Sequence, residues 1–312
     1  MAISAFAPLG SGLFLGWTLG ANDSANVFGT AVASRIITFR HASIICGIAI
    51  IIGAVTQGTA GIDTLRKITD QNITTAVLVT SSAAITGSFM TYLAIPISTS
   101  QAVVGAILGI ALATDTANYS ELTKVVLCWI GTPIGSIIIS LILYKLLEFF
   151  FMYLPMSMLT RDKILWGGLL IAGTYGAYAL GANNVTNSTG VFSGLVGVSD
   201  KTLAAIGGIA IAAGAITFSK RVMLAVGSGI MPLDAFCAFI AVLSMSITVH
   251  IFAVIGAPVS TSQGIVGAII GIGFLRGVQA IDLKTIKAIT LGWIMTPILS
   301  LILAAAGYAI FL

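Results

Sequence analysis

Charge is what this sequence has least of. Only 8% of its 312 residues are Asp, Glu, Lys or Arg, and only two are His. Soluble domains carry about 25% charged residues, so the composition argues against a soluble enzyme, a disordered chain and a nucleic-acid binder. Cysteine is scarce too. Cys46, Cys128 and Cys237 stand singly in apolar runs, without metal spacing or an evident pairing, and read as small core residues. No Lys or Arg precedes the first apolar stretch, so the start lacks the basic region of a signal peptide and the spans themselves direct insertion. No nucleophile–base pair, metal cluster or phosphate loop is visible, and no enzyme is expected. The apolar runs are continuous, without the alternation over about ten residues that a membrane β-barrel needs.

What is present is hydrophobicity: 58% of residues are apolar, with a mean hydropathy of +1.10. Helices satisfy their own backbone polar groups and so can cross a bilayer. At roughly 20 residues per span, the length allows about ten to twelve helical segments. Residues 71–114 and 235–275 contain no charged side chain. Each run is too long for one span and is expected to turn, at Pro96 and at Pro258. The apolar pieces after these prolines, such as 101–113, are short for a crossing and read as re-entrant half-helices. The net charge of +4 reflects basic loops rather than a nucleic-acid partner.

The strongest feature is a duplication. Across 96–110 against 258–272, 11 of 15 positions are identical. GANDSAN at 20–26 returns as GANNVTN at 181–187, and GIAIIIGAVT at 47–56 returns as GIAIAAGAIT at 208–217. Trp129-Ile-Gly-Thr132-Pro133 returns as Trp293-Ile-Met-Thr296-Pro297. The expected organisation is a first membrane repeat at 1–150, a short charged linker at 151–163 and a second repeat at 164–312. Duplicated halves with interrupted apolar segments at matching positions are the pattern of a secondary transporter. An odd number of crossings per half would invert them, and the residues leave that parity open.

Two duplicated polar sets lie inside the apolar runs, where polar groups need a reason. The first is Asn22, Asp23 and Asn26, with Asn183, Asn184 and Asn187. Asp23 is the one ionisable residue far from any charged stretch, and Gly20 before it suggests local unwinding that frees backbone carbonyls. Carbonyl, amide and carboxylate oxygens are hard ligands that suit Na⁺ better than a transition metal. The bland alternative is helix-to-helix bonding by the asparagines. The second set is Ser98, Thr99, Ser100 and Gln101, with Ser260, Thr261, Ser262 and Gln263. Each follows a proline and opens a half-helix, where free N–H groups and the dipole make an anion site. Simple capping would need one hydroxyl, not three and a Gln, repeated. Two such starts facing each other would hold a tetrahedral oxyanion. No Lys or Arg lies mid-run, so an anion here must travel with cations. Thr132 and Thr296, before prolines, are candidates to complete a cation site, with kink support the alternative. Thr56, Gln57 and Thr217 line a path or bond between helices. His250 reads as a packed neutral histidine, and Trp17, Trp129, Trp166 and Trp293 as interfacial belt residues.

Gly20-Ala21-Asn22-Asp23-Ser24-Ala25-Asn26 matches in full the GAND-x-AN signature of the inorganic phosphate transporter (PiT) family. The chain resembles that family over nearly its whole length, with both motifs in two copies. The resemblance implies phosphate uptake coupled to Na⁺ or H⁺, an inverted-repeat helical fold and homodimers. It assigns Asn22, Asp23, Asn183 and Asn184 to the cation and phosphate region, and the Ser/Thr/Gln groups at 98–101 and 260–263 to phosphate and its cations. Asn184 stands where the second signature has Asp, which favours Na⁺ held by neutral oxygens over a two-carboxylate proton relay. The short linker lacks the large hydrophilic loop of animal members and fits a multi-pass protein of a prokaryotic cell (inner) membrane. No cofactor beyond the coupling ion is expected. The reading is thus an all-α polytopic Na⁺–phosphate symporter in the lipid bilayer. Its rivals are a proton-coupled phosphate or sulfate permease, a gradient-independent channel and a structural scaffold.

Overall fold

The computed structural model describes residues 7–92, 97–153, 156–229, 233–277 and 282–312. Among the described residues there are twelve α-helices and no strand. The first six are α1 (Leu9–Ala33), α2 (Phe39–Gln57), α3 (Ile62–Arg66), α4 (Ile73–Tyr92), α5 (Thr99–Thr114) and α6 (Tyr119–Tyr153). The second six are α7 (Met158–Ser188), α8 (Asp200–Thr217), α9 (Lys220–Gly229), α10 (Ala235–Ile255), α11 (Thr261–Arg276) and α12 (Leu283–Phe311). A 3₁₀ turn at Gly190–Phe192 follows α7. The order of long and short helices in the first six recurs in the second.

Seven of these helices are long and apolar enough to cross a membrane: α2, α4, α6, α7, α8, α10 and α12. α1 has the length, at 25 residues, but its polar residues lower its hydropathy; 19 of its 25 residues are buried in protein, Asn22, Asp23, Ser24 and Asn26 among them, so these polar groups face partners rather than lipid. α5 and α11 have 16 residues each. At about 1.5 Å per residue they rise roughly 24 Å, short of the hydrocarbon thickness of about 30 Å. They are half-helices, as the sequence suggests. The second long run divides at Gly256, which takes a left-handed φ of 80° and ends α10 with its N–H on Ala253, ahead of Pro258. The first run divides between Tyr92 and Thr99; Pro96 itself lies outside the described residues.

One expectation is corrected. α1 runs unbroken through Gly20 and Asp23, so GANDSAN is not unwound. Glycine is there for contact. A Cβ at Gly20 would overlap the carbonyl of Ile211 on α8, and one at Gly181 of α7 would overlap the carbonyl of Ile50 on α2. Gly214 meets Trp17 and Gly53 meets Tyr178 in the same way. In lipid, helices gain little hydrophobic energy from pairing, and small residues that let backbones touch drive association. The same exchange recurs outside. Gly105 of α5 packs on Pro297 of α12, and Gly267 of α11 packs on Pro133 of α6. Helices of one half thus pack on the complementary helices of the other, and the half-helices are held inside a mixed bundle.

α6 and α12 continue through Pro133 and Pro297. Their buried faces are narrow polar stripes, Thr132-Ser136-Ser140 and Thr296-Ser300. The opposite faces expose Ile130, Ile134, Ile138 and Ile142, and Leu291, Ile294, Ile298 and Ile302, as a lipid-facing surface would.

Candidate functional site

The two half-helices begin in the middle of the bundle, and each start is capped by its serine. The Gln101 N–H donates to Ser98 Oγ and the Gln263 N–H to Ser260 Oγ, both at 3.3 Å. The first-turn N–H groups of Thr99, Ser100, Thr261 and Ser262 have no carbonyl one turn earlier to bond. The cap hydroxyls satisfy one donor each, and the others remain aligned with the positive helix ends.

Around these starts α1 and α7 place the signature residues. Asp23 Oδ2 accepts from Asn184 Nδ2 at 3.0 Å and from Thr99 Oγ1 at 3.3 Å. Asn184 Oδ1 accepts from Asn183 at 3.0 Å, from Asn187 at 3.2 Å and from Ser100 Oγ at 3.4 Å. Asn187 Nδ2 also donates to Ser100 Oγ at 2.9 Å. In the related position, Asn26 Nδ2 donates to Thr261 Oγ1 at 3.1 Å. Ser100 Oγ donates to the Val259 carbonyl at 2.8 Å, and Ser262 Oγ to the Ile97 carbonyl at 2.9 Å. Each half-helix therefore holds the loop that precedes the other.

Every residue of the two duplicated sets is at most 6% exposed. The cluster is closed and unbalanced. No Lys, Arg or His pairs with Asp23 among the described residues. The side-chain oxygens Gln101 Oε1, Gln263 Oε1 and Asn187 Oδ1 are buried without a donor. Native structures leave few such atoms unpaired, and each one asks for an explanation such as an ion. Oxygens short of positive partners thus stand beside helix starts short of negative ones.

Some sequence candidates stand apart from this network. Asn22 turns to α4, donating to Thr91 Oγ1 at 3.0 Å. Thr132 and Thr296 are fully buried, but their hydroxyls bond back to Cys128 and Gly292 of their own helices, at 2.7 and 2.6 Å. Thr56 and Thr217 bond between helices, to the Tyr178 hydroxyl and from Trp17 Nε1, both at 2.9 Å. Trp129 and Trp293 are not belt residues. Their Nε1 groups point inward, to the Pro258 carbonyl and to Ser262 Oγ, both at 3.2 Å. Their repetition in matching Trp-Ile-x-Thr-Pro blocks was the available signal. The backbone groups of Ile97 and Val259 carried no signal, because any residue supplies a carbonyl.

These features define a multi-pass helical membrane protein whose two repeats enclose a buried site bounded by half-helix starts. The chain belongs to the phosphate transporter family, whose pattern matches residues 19–167 and again residues 160–304. That family comprises transporters rather than enzymes. The chain is 32% identical to a protein of Methanocaldococcus jannaschii named as a phosphate permease, over 93% of this chain and 92% of that one. It is 30% identical to the sulfate permease CysP of Bacillus subtilis, over 96% of this chain and 86% of that one. A solved structure of a sodium-dependent phosphate transporter has the same fold, with a TM-score of 0.87 over 98% of both chains at 22% identity.

Proposed function

We propose that this chain is a Na⁺-coupled symporter of inorganic phosphate that works by alternating access. The observation that carries the reading is the imbalance of the closed site. Asp23 and three unpartnered amide oxygens call for small hard cations, while two helix N-termini call for an anion. In this reading Asn22, Asp23, Asn26, Asn183, Asn184 and Asn187 serve the cations, with Thr132 and Thr296 in support. Ser98, Thr99, Ser100 and Gln101, with Ser260, Thr261, Ser262 and Gln263, receive phosphate. Asn184 in place of a second carboxylate leaves neutral oxygens that bind Na⁺ but carry no proton, and the solved relative's name agrees. Cations bind first, their charge and the helix ends draw in phosphate, and the repeats (1–150 and 164–312, linked by 151–163) rock to change the opening. The family resemblance supports an inverted arrangement. The archaeal and bacterial relatives support a prokaryotic cell membrane. Family resemblance alone supports a homodimer.

The sulfate permease relative gives a second reading on the same scaffold, since sulfate is also a tetrahedral oxyanion. Radiolabelled phosphate uptake into proteoliposomes under a sodium gradient, a proton gradient or neither separates the cases. Uptake driven by sodium alone is the expected result. Uptake driven by protons alone overturns the ion assignment. Gradient-independent flux indicates a channel. Labelled sulfate taken up while phosphate is not overturns the substrate.

A further inference from the structure

A second polar cluster lies outside the candidate site. His250 of α10 is held at both ring nitrogens: Nδ1 lies 2.6 Å from the Tyr175 hydroxyl of α7, and Nε2 lies 2.7 Å from Gln57 Oε1 at the end of α2. Tyr178 meets the same ring edge-on, with centroids 5.6 Å apart. The positions related to these by the duplication are Phe14, Trp17, Ser88 and Phe218. There Trp17 packs against Phe14 and Phe218, and Ser88 shares a hydrogen bond with Thr18 at 3.3 Å. That junction is closed by groups that never titrate near neutral pH. The other is closed by an imidazole, the side chain whose ordinary pKa lies nearest neutral.

With Gln57 Oε1 turned to the ring, one neutral tautomer fits. Gln57 presents an oxygen, so Nε2–H donates to it; Nδ1 then carries the lone pair and accepts the Tyr175 O–H. A proton added at Nδ1 makes that nitrogen a donor. The phenol oxygen must then accept, and its own hydrogen must turn away. What lies beside it is a largely apolar groove of about 480 Å³ lined by Ala49, Ile52, Leu170 and Ile171, together with Thr174 and Tyr178, whose hydroxyls are engaged with Leu170 and Thr56. The titratable groups facing the imidazole are Tyr175 and Tyr178 from α7, and α2 brings only neutral Gln57. No ion pair involves the ring among the described residues, and α1, α6 and α11, which also pack on α10, bring no charged group to it.

The cluster connects to the site along the chain. Six residues after His250, the Gly256 carbonyl accepts from Thr64 Oγ1 at 2.7 Å. Three residues further, the Val259 carbonyl accepts from Asn183 at 2.7 Å and from Ser100 at 2.8 Å. On the other side, Gly58 next to Gln57 accepts from Thr186, beside Asn187, at 2.9 Å. We infer that His250, with Tyr175 and Gln57, is a positioning residue. Its neutral form holds the Gly256–Val259 segment against the site, and its protonation loosens that hold. Acidification therefore weakens substrate binding through one of the two related junctions only, an asymmetry that biases which opening the transporter favours.

The test compares the intact wild type, His250→Gln and Tyr175→Phe in proteoliposomes, by labelled phosphate uptake at pH 7.5 and 5.5. Phosphate itself takes up protons over this range, so each variant is read against wild type at the same pH. Between the two pH values the wild-type KM should rise about 3- to 10-fold more than that of His250→Gln, the effect of one phenol hydrogen left without an acceptor. Tyr175→Phe should show a raised KM at pH 7.5 and a flattened profile. Parallel profiles for all three overturn the proposal, whereas a purely structural histidine would shift KM without changing its pH dependence. The uptake arm rests on the phosphate reading, so the melting temperatures of the purified proteins are measured at both pH values without substrate. The wild type should lose stability on acidification relative to His250→Gln, and equal losses also overturn the proposal. If His250→Gln fails to fold, Tyr175→Phe decides alone: an unchanged pH slope is the overturning result.

Discussion

Asp23 shows what a single residue can demand of a membrane site. It sits at 3% exposure with hydroxyl and amide donors but no cationic side chain. Removing one partner of a buried charge pair typically costs about 3–5 kcal/mol. If the partner is a transported cation, Asp23→Asn should lower sodium-driven phosphate uptake by at least about 100-fold, the equivalent of ~3 kcal/mol. Uptake at the wild-type rate with unchanged sodium dependence would remove Asp23 from the mechanism. Gln101 and Gln263 make a finer test. Their buried oxygens lack donors, a state that costs about 1–3 kcal/mol each. Gln101→Met keeps the length and deletes the oxygen. It should raise the melting temperature of the sodium-free protein while weakening the stabilisation that added sodium gives. A variant destabilised in the absence of sodium, with its sodium response intact, would show that the oxygen is merely structural. The sequence named these residues because polar groups duplicated inside apolar runs are conspicuous. It could not tell Asn22, which faces α4, from Asn184, which sits at the centre, because neighbours on one helix diverge by about 100°.

At the scale of elements, the two uses of glycine decide what can be read. Glycine beside Asn and Asp fits an unwound turn or a close helix crossing equally well. Composition cannot separate them, and the structure shows the crossing. Gly20→Ala should therefore be severe, because its Cβ meets the rigid backbone of Ile211 rather than a mobile side-chain end. Overpacking of this kind costs about 1–3 kcal/mol or more, visible as a lower melting temperature and reduced yield in detergent. Gly167→Ala, with nothing within 4 Å, is the matched control and should leave both unchanged. The ends of α10 and α11 are tied differently. Asp234 caps α10 through the Cys237 N–H at 2.8 Å and pairs with Arg276 at 2.6 Å. Burial raises its carboxyl, but the Cys237 N–H and the Arg276 guanidinium together hold it below the usual carboxylate range. A lowered value means the contribution is complete above the ordinary carboxylate pKa and is lost as pH falls through the lowered one. Asp234→Ala should thus cost about 1 kcal/mol equally at pH 7.5 and 5.5. A cost that changed between those pH values would show that Asp234 titrates between them.

For the whole molecule, the duplication and the number of helical segments were legible because they are properties of order along the chain. The re-entrant half-helices were legible because a charge-free run of 44 residues cannot cross once. Which helix touches which was not. Apolar periodicity records that a face is buried, not what buries it, and the structure pairs α1 with α8, α7 with α2, α5 with α12 and α11 with α6. The inward turn of Trp129 and Trp293 was hinted at only by their repetition, since their partners lie on the half-helix entry of the second repeat. This exchange carries a consequence for folding. A half on its own would expose the small-residue faces of its helices to lipid and leave its polar signature without acceptors. Ser262 would lose the Ile97 carbonyl, and Asn26 would lose Thr261. Two chains, 1–155 and 156–312, should therefore be unstable when expressed singly. Expressed together they should assemble, because no packing interface named above depends on the link between α6 and α7. Co-purification of the two halves and sodium-driven uptake by the reconstituted pair check this. A single half that purifies as a folded species in good yield would mean that each repeat is sufficient alone and that the crossed contacts form only after both halves have folded.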